Sequence, residues 1–298
     1  MIYRVSHKTV YDYVEPALTC HNAVYLTPRD LPAQRRLRTQ LTVEPKPHQI
    51  VRGEDYFGNV VARFDIDEPH SRLSIHATSR VEVIAPQNGG GAGDAAGDAQ
   101  TPQVNQVTWQ SVRDQLPGDR SEAGLDAYQY VFPSRYVRRD ARFADYARPS
   151  FAPDRPLVDA VMELTQRIHD EFAYVPQSTD VSTSIESVLE KKEGVCQDFA
   201  HLELAALRSL GLAARYVSGY LQTDPPPGKP RLVGADASHA WIEVYCPPVG
   251  WLAFDPTNAC RPADRHIVLA LGRDYADISP IKGLVHGGGD HHLTVRVD

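Results

Sequence analysis

The chain has 298 residues, 42% of them hydrophobic and 23% charged, with a formal net charge of −7. That is the composition of a globular protein with room for one large or two ordinary domains. The acidic balance argues against a nucleic-acid partner, which takes clustered positive charge, and no run of 18 apolar residues is present to cross a membrane.

Residues 1–86 read as β structure. The segments from Ile2, Leu37, Asn59 and Leu73 are rich in β-branched and aromatic residues and are separated by Pro, Gly and Asn turns, a pattern that predicts a small antiparallel β-sandwich. Residues 87–103 are polar and rich in Gly, Ala and Asp, with too few apolar side chains to pack, and are expected to form a flexible linker. No Lys-Ser/Thr pair follows these glycines, so they do not read as a phosphate loop.

Residues 104–298 are expected to form an α+β core. Leu157, Val161, Leu164, Ile168 and Phe172 share one face of a helix for which Asp154 is the expected cap. Gly194-Val-Cys-Gln-Asp198 then turns into a second helix that runs to Gly211, which places Cys196 in its first turn. There the unpaired amides and the positive end of the helix dipole stabilise a thiolate, and the same amides can donate to an oxyanion. His239 opens a strand, Asp255 closes the next, and the five residues Cys246-Pro-Pro-Val-Gly250 join them as a hairpin. The spacing of 16 residues leaves one strand, one turn and one strand between His239 and Asp255, so the two are expected side by side.

A thiol is a strong nucleophile only as its thiolate. It therefore takes a neighbouring imidazole, and the imidazole takes a carboxylate that fixes its tautomer. Cys196, His239 and Asp255 supply these three groups in that order. Other candidates read more simply as structure. Cys20, Cys246 and Cys260 show no metal spacing and are expected as reduced structural thiols. His201 lies five positions after Cys196, away from the thiol on a helix, and is expected to pack or hydrogen-bond. Glu243 reads as a salt-bridge residue. Trp241 reads equally well as cleft wall or core. His286, His291 and His292 flank a glycine triplet that offers a metal no fixed geometry, so a loop beside the cleft is expected and no metal or cofactor is assigned.

Four segments resemble the transglutaminase-like superfamily, which shares the papain-like cysteine-hydrolase core. They are Gly194-Val-Cys-Gln-Asp-Phe-Ala-His201, Ala213-Ala-Arg-Tyr-Val-Ser-Gly-Tyr220, Ser238-His-Ala-Trp-Ile-Glu-Val-Tyr245 and Gly250-Trp-Leu-Ala-Phe-Asp-Pro-Thr-Asn258. The segment from Tyr3 to Tyr13, with Asp55-Tyr-Phe-Gly-Asn59, resembles the β domain that precedes this core in the bacterial subfamily. The resemblance implies Cys196 as nucleophile, His239 as general base and acid, and Asp255 as orienting carboxylate. It implies an acyl-thioester intermediate on a peptide or protein amide substrate, with hydrolysis favoured by likeness to bacterial members. Acyl transfer to an amine, and a non-catalytic scaffold on the same fold, are the alternatives. The Cys196 amide is the expected oxyanion donor, with Gln197, Tyr174 or another upstream side chain as a second. The first residues show no basic region followed by an apolar stretch, so the expected location is the cytoplasm.

Overall fold

The computed structural model describes residues 1–84, 106–176, 179, 183–223 and 237–298. The expected linker at 87–103 lies outside them. The first 84 residues contribute five strands, and the antiparallel β structure expected of the sandwich is present, with all five in one sheet. Its spine is β1 (Ile2–Val24), whose core-facing Val5, Cys20 and Val24 are buried. Along one edge β1 pairs with β4 (Val60–Ile66) and β5 (His70–Val83), which carry β3 (Val51–Glu54) and β2 (Gln34–Glu44) on their outer sides.

The other edge of β1 is filled from the far end of the chain. β12 (Ile281–Gly287) pairs with residues 17–24 of β1 and β13 (His291–Val297) with residues 7–13, so all seven strands form one hydrogen-bonded sheet rather than two. A boundary at residue 104 with everything after it in the core therefore separates strands that pair. The short apolar runs at 281–297 carry no local mark of their partner, because strand pairing is settled by the tertiary fold. His286, His291 and His292 sit on these two strands, opposite Thr19, Tyr13 and Asp12, and not in a loop beside the cleft.

The core is a four-stranded antiparallel sheet with helices packed on it. Among the described residues five α-helices come first: α1 (Trp109–Gln115), α2 (Glu122–Tyr128), α3 (Ala141–Ala147), α4 (Leu157–Glu171) and α5 (Ile185–Lys191). The cap of α4 is Pro156, two residues past the expected Asp154, whose backbone is left-handed (φ 59°). α6 (Cys196–Ser209) follows and ends on Gly211, whose φ of 85° closes the helix in the left-handed region. The sheet order is β10-β9-β8-β11, from β8 (Ala214–Leu221), β9 (Ala237–Cys246), β10 (Gly250–Phe254) and β11 (His266–Gly272).

α6 is buried on every side from Asp198 to Arg208, not on the single face its periodicity suggests. The reason is its place between layers: β8 and β9 lie on one side and α3, α4 and α5 on the other. A helix so enclosed holds its first turn rigidly.

Two amide side chains join the two sheets. Gln34 donates from Nε2 to the Val268 carbonyl at 2.8 Å and accepts from the Val268 N–H at 2.8 Å. Asn59 does the same with Leu271, at 2.7 and 2.8 Å. Asn59 is itself held by the Asp55 turn, with Asp55 Oδ2 accepting from its side chain at 2.9 Å. The Asp55-Tyr-Phe-Gly-Asn59 segment thus ends in a clasp on β11, the edge strand of the core, and satisfies backbone groups that a sheet edge otherwise leaves open.

Candidate active site

Cys196 is the first residue of α6, with Val195 as the preceding cap residue. Its N–H and that of Gln197 have no acceptor within the helix, as first-turn amides do not. The turn is braced by Asp198, whose Oδ2 accepts from the Val195 N–H at 2.8 Å and from Thr179 Oγ1 at 2.6 Å. Gly194 does not take a left-handed turn. It pairs in extended form with Tyr174, and a Cβ there would lie 2.9 Å from Asp198 Cβ, so glycine lets the capping carboxylate approach.

His239 stands on β9 and is buried. Its Nε2 donates to Asp255 Oδ2 at 2.8 Å, which leaves Nδ1 for the Cys196 thiol, with which the imidazole is hydrogen-bonded. Burial alone would make this imidazole a weaker base. The hydrogen bonds to Asp255 and Cys196 outweigh that and raise its pKa to about 9.

Asp255 follows the last residue of β10 and is fully buried. The hairpin register puts Phe254 opposite Ile242, so Asp255 is diagonal to His239 and reaches it with its side chain. Burial opposes its charge, yet donors from His239, His266 and Asn258 hold its pKa well below the usual carboxylate range. Oδ2 receives His239 Nε2, His266 Nε2 at 3.1 Å and Asn258 Nδ2 at 2.7 Å, while Oδ1 receives the backbone N–H groups of Thr257 and Asn258. Cys196, His239 and Asp255 are therefore brought together, each from a different element.

Gly219 matters to this arrangement. It pairs opposite His239, and a Cβ there would come within 2.4 Å of the Trp241 indole and 2.2 Å of the Ile267 carbonyl oxygen. Trp241 is 1% exposed, so of its two readings the core one holds. Its ring meets the His266 ring edge-on at 5.2 Å and leans on His239 at 5.9 Å, which limits how either imidazole can turn.

Glu243 is ion-paired with Arg215 at 2.7 Å. His201 accepts from the Tyr275 N–H at 3.2 Å and stacks on Tyr136, and burial lowers its pKa to about 4. The four cysteines are free thiols. Tyr174 lies half exposed on β6 (Ala173–Tyr174) beside the start of α6, and burial first, then its neighbours Cys196 and Asp198, raise its pKa.

Sequence reading passed over His266 and Asn258. Asn258 lay inside a quoted motif with no role. A single histidine before the apolar run Ile267–Leu271 has only its position, 11 residues past Asp255, to mark it. Among the described residues, His239, Asp255 and His266 alone offer three metal-ligating atoms within 4.8 Å of one another. The same atoms make the His239 Nε2–Asp255 Oδ2 and His266 Nε2–Asp255 Oδ2 hydrogen bonds.

The family model "Transglutaminase-like superfamily" matches residues 144–256, and "Bacterial transglutaminase-like N-terminal region" matches residues 3–82. An uncharacterised protein of Mycobacterium tuberculosis is 41% identical over 99% of this chain and 91% of its own length. The chain belongs to the transglutaminase-like superfamily. Within that superfamily, the protein-glutamine gamma-glutamyltransferase of Pseudomonas aeruginosa is 32% identical over 50% of this chain and 23% of its own length. A crystal structure from Cytophaga hutchinsonii, named a candidate cysteine protease, covers 100% of this chain and 89% of its own, with TM-score 0.75 and 23% identity, a likeness of fold. Among the described residues no helix is long and apolar enough to cross a membrane.

Proposed function

We propose that the protein is a thiol-dependent amide-bond enzyme in which Cys196, His239 and Asp255 act as nucleophile, general base and acid, and orienting carboxylate. The observation that carries this reading is His239 itself, bonded to the Cys196 thiol on one side and to the buried Asp255 carboxylate on the other.

The thiol proton passes to Nδ1 of His239, and the sulfur attacks the carbonyl carbon of the substrate amide. The oxygen takes up negative charge beside the Cys196 amide, with Gln197 or Tyr174 as the second donor. The C–N bond breaks as the imidazolium returns its proton to the amine, which leaves an acyl-thioester on Cys196. Water activated by His239 then releases the acid and restores the thiol. A peptidase or amidase acting on peptides or proteins is thus the primary reading, since water resolves a thioester wherever the cleft admits it.

The likeness to the Pseudomonas gamma-glutamyltransferase supports a second reading, in which an amine replaces water in the last step. The two diverge in one experiment. Wild type and Cys196→Ala are incubated with a peptide library, with and without a primary amine, and the products are read by mass. Cleaved or deamidated products supplied by wild type alone mean hydrolysis, and amine incorporation means transfer. Wild type that turns over nothing, or Cys196→Ala that matches it, contradicts both.

A further inference from the structure

His266 reaches the site from β11, outside both α6 and the β9–β10 hairpin. Its Nδ1 accepts from the Ala263 N–H at 3.4 Å, so its proton is on Nε2, where it donates to Asp255 Oδ2 at 3.1 Å. Both ring nitrogens are thereby engaged. In His239 the second nitrogen, Nδ1, faces the thiol instead. The two side chains, 8% and 6% exposed, reach the same oxygen from ring centroids 6.1 Å apart.

His266 opens β11, and β11 is the strand that Gln34 and Asn59 of the first sheet clasp at Val268 and Leu271. On its other side β11 pairs with β8, which sets Leu221 opposite His266. The titratable groups that face it are His239 from β9 and Asp255 from the segment after β10; Cys260 pairs with Asp255, and Glu203 of α6 feels the Asp255 charge. Arg261, Asp264 and Arg265 lie in the segment leading into the strand.

We propose that His266 is a positioning residue for the chemistry assigned above: its Nε2–H holds the Asp255 carboxylate in line with His239, and the N-terminal sheet, by clasping β11, keeps it there. The inference rests on the proposed roles of Cys196, His239 and Asp255. A carboxylate oxygen shared between two imidazoles cannot rotate away from either, and the second donor moderates its pull on the His239 proton. An imidazolium held less tightly is the better acid toward a leaving amine. The arrangement also gives the N-terminal sheet a part in the reaction that involves no contact with substrate.

The test is histidine-selective 15N NMR on the full chain. His266→Phe keeps a ring under Trp241 and removes the donor, while His266→Gln restores an N–H. In wild type the His266 proton is expected on Nε2. The His239 titration midpoint is expected to rise by about half a pH unit or more in His266→Phe, because a carboxylate with one donor fewer attracts the imidazolium more strongly, and to return in His266→Gln. A wild-type His266 proton on Nδ1, or a His239 midpoint unmoved in His266→Phe, overturns the proposal. If His266→Phe does not fold, the wild-type tautomer decides it, a proton on Nε2 supporting the proposal and one on Nδ1 overturning it. Turnover by Cys196→Ala would instead bring down the underlying assignment, which these NMR readouts do not share.

Discussion

Asp255 and Glu203 are both carboxylic acids with 0% exposure, and they sit close enough for the charge of one to raise the pKa of the other. Their surroundings differ in donors. Asp255 receives hydrogen bonds from His239, His266, the Asn258 side chain and two backbone amides, and its pKa lies well below the usual range. Glu203 receives one, from Thr165 Oγ1 at 2.6 Å, its Oε2 has no partner among the described residues, and burial raises its pKa to about 8. Burial opposes charge at both sites. The number of donors decides which acid stays ionised.

The largest way to break this comparison is to remove the charge from the well-supported acid. Asp255→Asn keeps the shape but leaves His239 Nε2 without its anionic acceptor. Acylation of Cys196 is expected to fall about a thousandfold or more, measured by single-turnover kinetics, with KM changing far less. An effect below tenfold would mean that the carboxylate only packs.

A smaller change extends the comparison to a neutral buried group that is fully partnered. Asn59→Ala leaves the Leu271 N–H and carbonyl without the partners they now have. A loss of about 3 kcal/mol in unfolding free energy is expected from urea denaturation. A loss within 0.5 kcal/mol, about the scatter of ordinary surface changes, would remove the clasp from the account.

The smallest effect belongs to the poorly supported acid and depends on pH. The folded pKa of Glu203, about 8, lies above its ordinary 4.5, so the folded state binds the extra proton between these values and stability falls as pH rises through that window. Glu203→Gln mimics the protonated acid. Its stability should match wild type below pH 4.5 and exceed it progressively as pH rises toward 8. A difference that stays constant with pH would mean that Glu203 is not held protonated. His239 runs in the same direction with a later window. Its raised pKa of about 9 contributes stability that is fully present below its ordinary 6.5 and lost as pH climbs through 9.

What could be read from the sequence alone follows the range of the interactions involved. The start of α6 at Cys196, the β9–β10 hairpin and the antiparallel pattern of the first 84 residues are written in local signals: a glycine and capping acid, strand alternation, turn residues. The parts that local signals do not carry are those made by distant side chains. Gln34 and Asn59 meet β11 across 234 and 212 residues, and nothing near either marks it as a partner of an edge strand. Strands 281–297 belong to the first sheet because β1 has a free edge, a fact of the fold rather than of their composition. Gly194 was legible as important and misread in its reason, since the constraint comes from Asp198 folding back against it. His266 carries no motif and becomes visible only once its Nε2 is seen on Asp255.

The central claim is that Cys196 is a nucleophile activated by His239 and Asp255 as one unit. Its most direct test is to trap the acyl-enzyme with p-nitrophenyl acetate at neutral pH and map the acetyl group by peptide mass. The account predicts rapid labelling of Cys196 in wild type, little on Cys20, Cys246 and Cys260, and loss of the Cys196 label in both His239→Ala and Asp255→Asn. Labelling of Cys196 at the same rate in those variants as in wild type would contradict it.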